Sequence, residues 1–271
     1  MAAEPGKTWS GKWALVTGAS AGIGKALAEE LARGGTNLVL TARRRERLEE
    51  LAGNLTAQNR VQAKVFVADL AAPDGPEKIF QFTNAQGIEV ELLINNAGFG
   101  VYGEFADREA RRTIEMVQVN CAAVAHLTRL YLPGMMARGH GDVMILASTA
   151  AFQAVPYIST YAATKAFDLL FAEGLAEEVK PHGVRVCALC PGSTESEFAE
   201  VAGQSHLTFS KGRRETARKV ARTGLRALAA GKSYVISGAG NYWGVQGQRL
   251  VSRRFVTRVA AKMFRPEKKS S

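Results

Sequence analysis

Lys12-Trp13-Ala14-Leu15-Val16-Thr17-Gly18-Ala19-Ser20-Ala21-Gly22-Ile23-Gly24 sets a mostly apolar run directly against a cluster of glycines. The run Lys12 to Thr17 fits a parallel strand buried on both faces. Beyond it, Gly22 to Arg33 carries Ile23, Leu27 and Leu31 at spacings of four, the stripe of a helix, and Gly34-Gly35 stops it. Glycines between a strand and a helix let the chain turn sharply and bring backbone N–H groups close to a ligand. The helix N-terminus beside them favours an anion, so the turn reads as a cradle for a pyrophosphate or as a plain strand-to-helix turn. Its spacing is Gly18-x-x-x-Gly22-x-Gly24, distinct from G-x-G-x-x-G and without the Gly-Lys-Ser/Thr ending of a P-loop.

Outward from this stretch the same alternation repeats. Strands are expected at Asn37 to Thr41, Ala63 to Val67, Glu91 to Ile94, Asp142 to Ala147, Val184 to Cys190 and Ser233 to Ile236. Helices are expected at Arg44 to Thr56, at Asp74 to Gln86 behind Pro73, and at Asp107 to Leu132, ended by Pro133-Gly134. Two more are expected at Tyr161 to Val179 and from about Arg213 to Ala230. Such alternation predicts a doubly wound, Rossmann-like parallel sheet of about seven strands with helices on both faces. No repeat or linker divides it, so residues 1–271 are read as one domain. Its parts are a core at 10–192, a segment at 193–211 that covers a substrate, a last helix and strand within 212–236, and a tail at 248–271.

With 46% hydrophobic and 22% charged residues, 271 residues can bury a sizeable core. No apolar run is long enough to span a membrane, and Met1 to Gly11 lacks the order of a signal peptide, so a cytoplasmic protein is expected. Cys187 and Cys190 have a C-x-x-C spacing but sit in an apparent buried strand; with Cys121 they make an odd number, and neither a disulfide framework nor a metal site is expected. Of the net charge of +10, +7 comes from the tail, where Arg249, Arg253, Arg254, Arg258, Lys262, Arg265, Lys268 and Lys269 face Glu267 alone. The basicity therefore argues little for nucleic acid binding by the body.

Tyr161 and Lys165 lie four apart and share a helix face. A cation beside a phenol favours the phenolate and draws the pKa toward the working range, so Tyr161 is a candidate proton carrier. Alone, such a pair is far more often a surface feature of an amphipathic helix. In company it is more: Thr17 to Gly24, Asn95-Asn96-Ala97-Gly98 after the fourth strand, Ser148 after the fifth, Tyr161 to Lys165, and Pro191-Gly192 after the sixth together resemble the short-chain dehydrogenase/reductase family over residues 10 to 236. Each motif falls at the carboxyl end of an expected strand or on the adjoining helix, the rim where open α/β sheets bind ligands.

The resemblance implies roles. Ser148 would hold a substrate carbonyl oxygen, Tyr161 would supply the proton, Lys165 would steady the tyrosinate and reach the cofactor ribose, and Asn120 would support a proton relay to the lysine. Gly18, Ser20, Gly22, Ile23 and Gly24 would cradle the cofactor, Asp69 and Leu70 would meet its adenine, and Asn96 and Gly98 would line its groove, with Pro191, Gly192 and Thr194 near the nicotinamide. Asp69 is also readable as a helix cap.

Charge selects the dinucleotide. A bare ribose calls for a carboxylate at the end of the second strand, whereas a 2′-phosphate calls for cations. The chain offers Thr41-Ala42-Arg43-Arg44-Arg45, so NADP(H) is expected, with Arg43 as first contact and Ser20 and Arg44 as helpers. His126, His140, His182 and His206 are scattered without metal spacing. Phe99, Tyr102, Phe152, Tyr157 and Phe198 fall in loops fit to line an apolar pocket. The expected activity is an NADPH-dependent carbonyl reductase, or NADP-dependent alcohol dehydrogenase, acting on a small-molecule carbonyl or alcohol without nucleic acid and as a homo-oligomer. A nucleotide-sensing protein or a membrane-surface scaffold on the same fold is the alternative. An extended-type epimerase or dehydratase is disfavoured by the short remainder after residue 236.

In the tail, Val251, Phe255, Val259 and Met263 recur every four residues beside Arg253, Arg254, Arg258, Lys262 and Arg265, the pattern of a basic amphipathic helix. Its stripe either contacts an anionic membrane peripherally or packs on the body or a second subunit.

Overall fold

Trp13–Thr17 (β1), Asn37–Ala42 (β2), Ala63–Val67 (β3), Val90–Asn95 (β4), Gly141–Leu146 (β5) and Val184–Cys190 (β6) form the sheet together with a last strand, Tyr234–Ile236. The computed structural model describes residues 5–203 and 214–266. Two further strands of two residues each, Thr194–Glu195 (β7) and Glu215–Thr216 (β8), pair with each other outside the main sheet, so Tyr234–Ile236 is β9. All neighbours in the main sheet run parallel, in the order β3-β2-β1-β4-β5-β6-β9. The order reverses between β1 and β4, and open α/β sheets bind ligands outside the carboxyl ends of the strands at such a switch point.

Helices cover both faces. Gly22–Arg33 (α1), Arg45–Asn59 (α2) and Ala217–Ala229 (α8) bury Leu27, Leu31, Leu48, Leu51, Val220 and Leu225 on one side. Gly75–Ala85 (α3), Ala123–Arg138 (α5) and Ser159–Val179 (α6) bury Ile79, Leu127, Tyr131 and Leu169 on the other. The strands alternate between the two cores: Cys187 and Leu189 of β6 face one, Val186, Ala188 and Cys190 the other. The two thiols of the C-x-x-C spacing therefore point to opposite faces of the sheet and cannot share a metal ion.

Several expected boundaries move. The single helix expected over Asp107 to Leu132 is Ala110–Val117 (α4), a π turn at Gln118–Ala122, and α5, which runs through Pro133 to a left-handed Gly139. Proline removes one helical hydrogen bond, but Met135, fully buried under Gly141, holds the last turn in place. After β9 comes a helix that the sequence hides, Ala239–Gly247 (α9), because its three glycines depress helix propensity. The expected tail at 248–271 holds a helix at Arg253–Phe264 (α10), capped by Ser252 Oγ accepting from Phe255 N at 3.3 Å. Phe198–Val201 (α7) lies between β7 and β8. Residues 204–211 of the expected substrate-covering segment, with His206, the first two residues of 212–236, and 267–271 of the tail lie outside the described residues.

Candidate active site

The glycine turn is closed from beneath by the loop after β4. Thr17 Oγ1 accepts from the backbone N–H groups of Asn96 and Ala97, each at 2.9 Å, and Asn96 Nδ2 donates to Thr17 O at 2.8 Å. Contact is so close that a Cβ at Gly24 would lie 2.4 Å from Gly18 O, and Gly18 itself is left-handed at φ 66°. Ile23 sits behind the turn, packed against the α1 side of the core. A methyl group cannot enter this cradle.

Ser20, Gly22, Lys25, Arg47 and Glu197 line a cavity of about 520 Å³ at the start of α1. Arg44, the residue before α2, donates to Ser20 Oγ at 3.0 Å and to Glu197 at 2.8 Å, while Arg47 donates to the other oxygen of Glu197 at 2.5 Å. The two arginines hold the Glu197 carboxyl below its usual range. A carboxylate of the chain itself thus pairs with these cations. Arg43 is exposed and forms no ion pair among the described residues. Asp69 is exposed and accepts from Ala71 N at 3.0 Å, turning the chain after β3, while Leu70 beside it is buried.

Tyr161, Lys165 and Asp168 project from one face of α6, at spacings of four and three. Lys165 Nζ donates to Asp168 Oδ2 at 2.9 Å and to Leu146 O at 2.6 Å, and lies 5.9 Å from the centroid of the Tyr161 ring. Burial would depress the Lys165 ammonium, but Asp168 above all, then Tyr161, carry it above its ordinary value. Burial pushes Asp168 up to about 6 against the pull of Lys165. For Tyr161, burial is the largest influence and outweighs Lys165 and a hydrogen bond with Ser148, so the phenol sits above its usual pKa. The expected downward pull of Lys165 is present but does not win. Phe198, its ring 5.2 Å from that of Tyr161, provides part of that burial.

Asn120, fully buried in the π turn, accepts from Phe99 N at 3.1 Å and donates to Phe99 O and Thr164 Oγ1, both at 3.0 Å. Its amide ties the loop after β4 to α6. Ser148 lies two residues past β5 and accepts from Ala150 N at 3.1 Å. Thr149 N donates to Pro191 O at 2.9 Å, which brings the turn after β6 alongside; there Thr194 Oγ1 donates to Gly192 O at 3.1 Å, and Asn241 of α9 fills the space a Gly192 side chain would need. Gly98 is equally hemmed in, with Asn120 Oδ1 3.0 Å from where its Cβ would stand. The expected site residues therefore gather along one rim. Of the aromatic set, Phe99 is buried with the Arg112 guanidinium 3.8 Å from its ring centroid, and Tyr157 is left-handed at φ 67°, its carbonyl accepting from Arg108 and from Gly103 N at 3.0 Å. Among the described residues no three His, Cys, Asp or Glu side chains gather as a metal site.

Asp168, Thr164, Arg47 and Glu197 were not singled out from sequence. Asp168 stands seven residues after Tyr161 and so on its helical face, a signal that spacing alone carries. Glu197 offered none, because it meets Arg44 across 153 positions.

A doubly wound sheet with a glycine cradle on its switch-point rim, and a buried tyrosine and lysine beside a serine, defines a nucleotide-dependent oxidoreductase. The chain belongs to the short chain dehydrogenase family, whose sequence profile matches residues 12–206. It is 37% identical to the very-long-chain 3-oxoacyl-CoA reductase of Anas platyrhynchos over 201 residues, 72% of this chain and 64% of that protein. It is 38% identical to very-long-chain 3-oxoacyl-CoA reductase-A of Danio rerio over 196 residues, 70% and 60% of the two chains. The match thus spans less than two thirds of those relatives. Among solved structures, a short-chain dehydrogenase from Sphingobium yanoikuyae in complex with NADPH superposes with a TM-score of 0.79 at 27% identity, covering 96% of this chain and 99% of that one. A 7beta-hydroxysteroid dehydrogenase gives 0.85 at 25%, covering 94% and 99%.

Proposed function

We propose that the chain is an NADPH-dependent carbonyl reductase, or in reverse an NADP-dependent alcohol dehydrogenase, with Tyr161 as the proton carrier. The observation that carries this reading is the buried group of Tyr161, Lys165 and Asp168 beside Ser148, on the same rim as the glycine cradle. When bound, the nicotinamide supplies the hydride. Ser148 holds the substrate oxygen, and Tyr161, its phenol kept protonated by burial, gives that oxygen a proton. Lys165 supports the tyrosinate that forms, and Asp168 fixes Lys165 in position. Asn120 keeps the loop after β4 seated on α6, and the relay to Lys165 belongs to the same proposal.

Gly18, Ser20, Gly22, Ile23 and Gly24 take the pyrophosphate, and Arg43 and Arg44 the 2′-phosphate. Asp69 and Leu70 take the adenine, while Asn96, Gly98, Pro191, Gly192 and Thr194 take the nicotinamide half. The NADPH-bound neighbour and the arginines after β2 support NADPH over NADH. The substrate is a ketone, and a 3-oxoacyl thioester is the first class to test, supported by the names of the relatives and by the aromatic side chains Phe99, Phe152 and Phe198 along the rim.

The test is NADPH oxidation against a panel of ketones and 3-oxoacyl-CoA esters of increasing chain length. Turnover with NADPH well above that with NADH, rising along the ester series, is expected; no oxidation with any ketone would leave the nucleotide-sensing alternative standing. We also propose self-association through the exposed apolar face that α4 and α6 share, formed by Ile114, Val117, Phe167 and Leu170.

A further inference from the structure

The last helix is divided lengthwise into three rows, each spaced by four. Val256, Ala260 and Phe264 turn to the body: Ala260 is 4% exposed, Phe264 packs on the core, and Phe264 O accepts from Tyr102 Oη at 2.9 Å. The next row around, Phe255, Val259 and Met263, is 57%, 41% and 54% exposed. The row beyond it, Arg254, Arg258 and Lys262, is exposed as well. The apolar stripe read from sequence therefore does not pack on the body; a different row does.

Residues 249–266 hold six cations and no carboxylate, and none of those cations forms an ion pair among the described residues. Elsewhere the surface arginines and lysines commonly have partners, as in Arg45–Glu49, Arg111–Glu115 and Lys219–Glu215. Arg253 and Arg254 moreover occupy the first turn of α10, where the helix dipole disfavours cations, with no acidic residue to offset them. Just before the helix, Trp243 and Leu250 are exposed, and Tyr242 stands against Trp243 at 5.3 Å.

We propose that α10 seats the protein on an anionic lipid surface, with Phe255, Val259 and Met263 entering the headgroup boundary and Arg254, Arg258 and Lys262 meeting its phosphates. A second copy of the chain is a poor occupant, because a self-complementary contact would bring cations against cations. A lipid surface offers an anionic layer above an apolar one, the same order in which the cationic and apolar rows stand side by side, and it demands no shape complementarity from a narrow row. Exposed Trp and Tyr suit that boundary. The Ser252 cap means the helix is already formed, so docking does not have to order it. Because Phe264 binds Tyr102 of the loop after β4, the docked face adjoins the rim that carries the substrate loops. The docking does not depend on the proposed reaction.

Sedimentation of the full chain with phosphatidylglycerol/phosphatidylcholine vesicles, and with phosphatidylcholine alone, tests the proposal. Retention by the anionic vesicles only, released at high salt, is expected. At about fivefold per cation, the triple variant Arg254→Glu, Arg258→Glu, Lys262→Glu should bind at least about a hundredfold more weakly. The triple variant Phe255→Ser, Val259→Ser, Met263→Ser, which leaves the docked row intact, should lose about tenfold or more. Melting temperature and NADPH binding should be unchanged in both. The proposal fails if neither vesicle retains the native chain, if the neutral vesicles retain it equally, or if both variants bind as the native chain does. It fails equally if the serine variant dissociates an oligomer in sedimentation velocity, since the row is then a subunit contact.

Discussion

Burial holds the Tyr161 phenol above its usual pKa, which suits its proposed role as a proton donor at neutral pH. Replacing it by Phe keeps the shape and the contact with Phe198 but removes that proton. Turnover should fall by about 10²- to 10⁴-fold, with NADPH affinity changed less than about threefold, as read by steady-state kinetics and fluorescence titration; near-native kcat would defeat the proposed mechanism. Asp168 gives the pH dependence its sign. It faces Lys165 at 2.9 Å, with Tyr161, Cys121 and Cys190 as the other titratable neighbours. Burial pushes both thiols up, Cys121 to about 11, so they stay neutral while the carboxyl titrates near 6. Above that pH the carboxylate holds the ammonium; as pH falls through it, the proton added to Asp168 releases Lys165. The kcat profile should therefore show an acid limb near 6, and Asp168→Asn should lower kcat by about tenfold or more while abolishing that limb. A limb that persists unchanged in the variant would assign it to another group.

The turn between β1 and α1 and the start of α2 form the proposed cofactor end, and their charges can be set against each other. Arg43→Asp places a like charge at the proposed 2′-phosphate and offers an acceptor to a bare ribose. NADPH should weaken by about tenfold to a hundredfold while NADH changes little, measured by titration with each; equal weakening would remove Arg43 from the reading. The strands of this half were legible because buried parallel strands are apolar runs, and α1 because its stripe and its stop lie within a dozen residues. The end of α5 was not, since Pro133 argues locally for a stop while the burial of Met135, a tertiary fact, carries the helix on. The π turn that places Asn120 leaves no periodicity of its own. Glycines disguised α9, and the β7 and β8 pair joins segments 21 residues apart through two residues each. At the site, the residues on the strand ends and on α6 could be read from spacing and from family likeness. Glu197 depends on a loop folding back over the glycine turn, and no local pattern announces that.

The exposed apolar row of α10 and the exposed apolar face of α4 and α6 differ in their electrostatics. Around α10 the cations form no ion pair among the described residues, whereas on α4 Arg111 and Arg112 both pair with Glu115 at 3.2 Å, which partly neutralises the setting of the neighbouring Ile114 and Val117. Across from them on α6 stand Phe167 and Leu170, with Phe167 stacked on Phe171 at 5.6 Å. A neutral apolar face can meet its own copy across a twofold axis without charge repulsion, so it is the better subunit contact. Because Tyr161 and Lys165 lie in the first turns of α6, covering its outer face would also stiffen the helix that positions them. Ile114→Glu with Leu170→Glu should therefore convert a native oligomer to monomer in sedimentation velocity and lower kcat by a few fold, while vesicle binding through α10 stays as in the native chain. Both substitutions sit on exposed positions, so the melting temperature of the isolated subunit should hold. A native chain that sediments as a monomer at micromolar concentration would sink the subunit contact and leave the α4 and α6 face without an occupant.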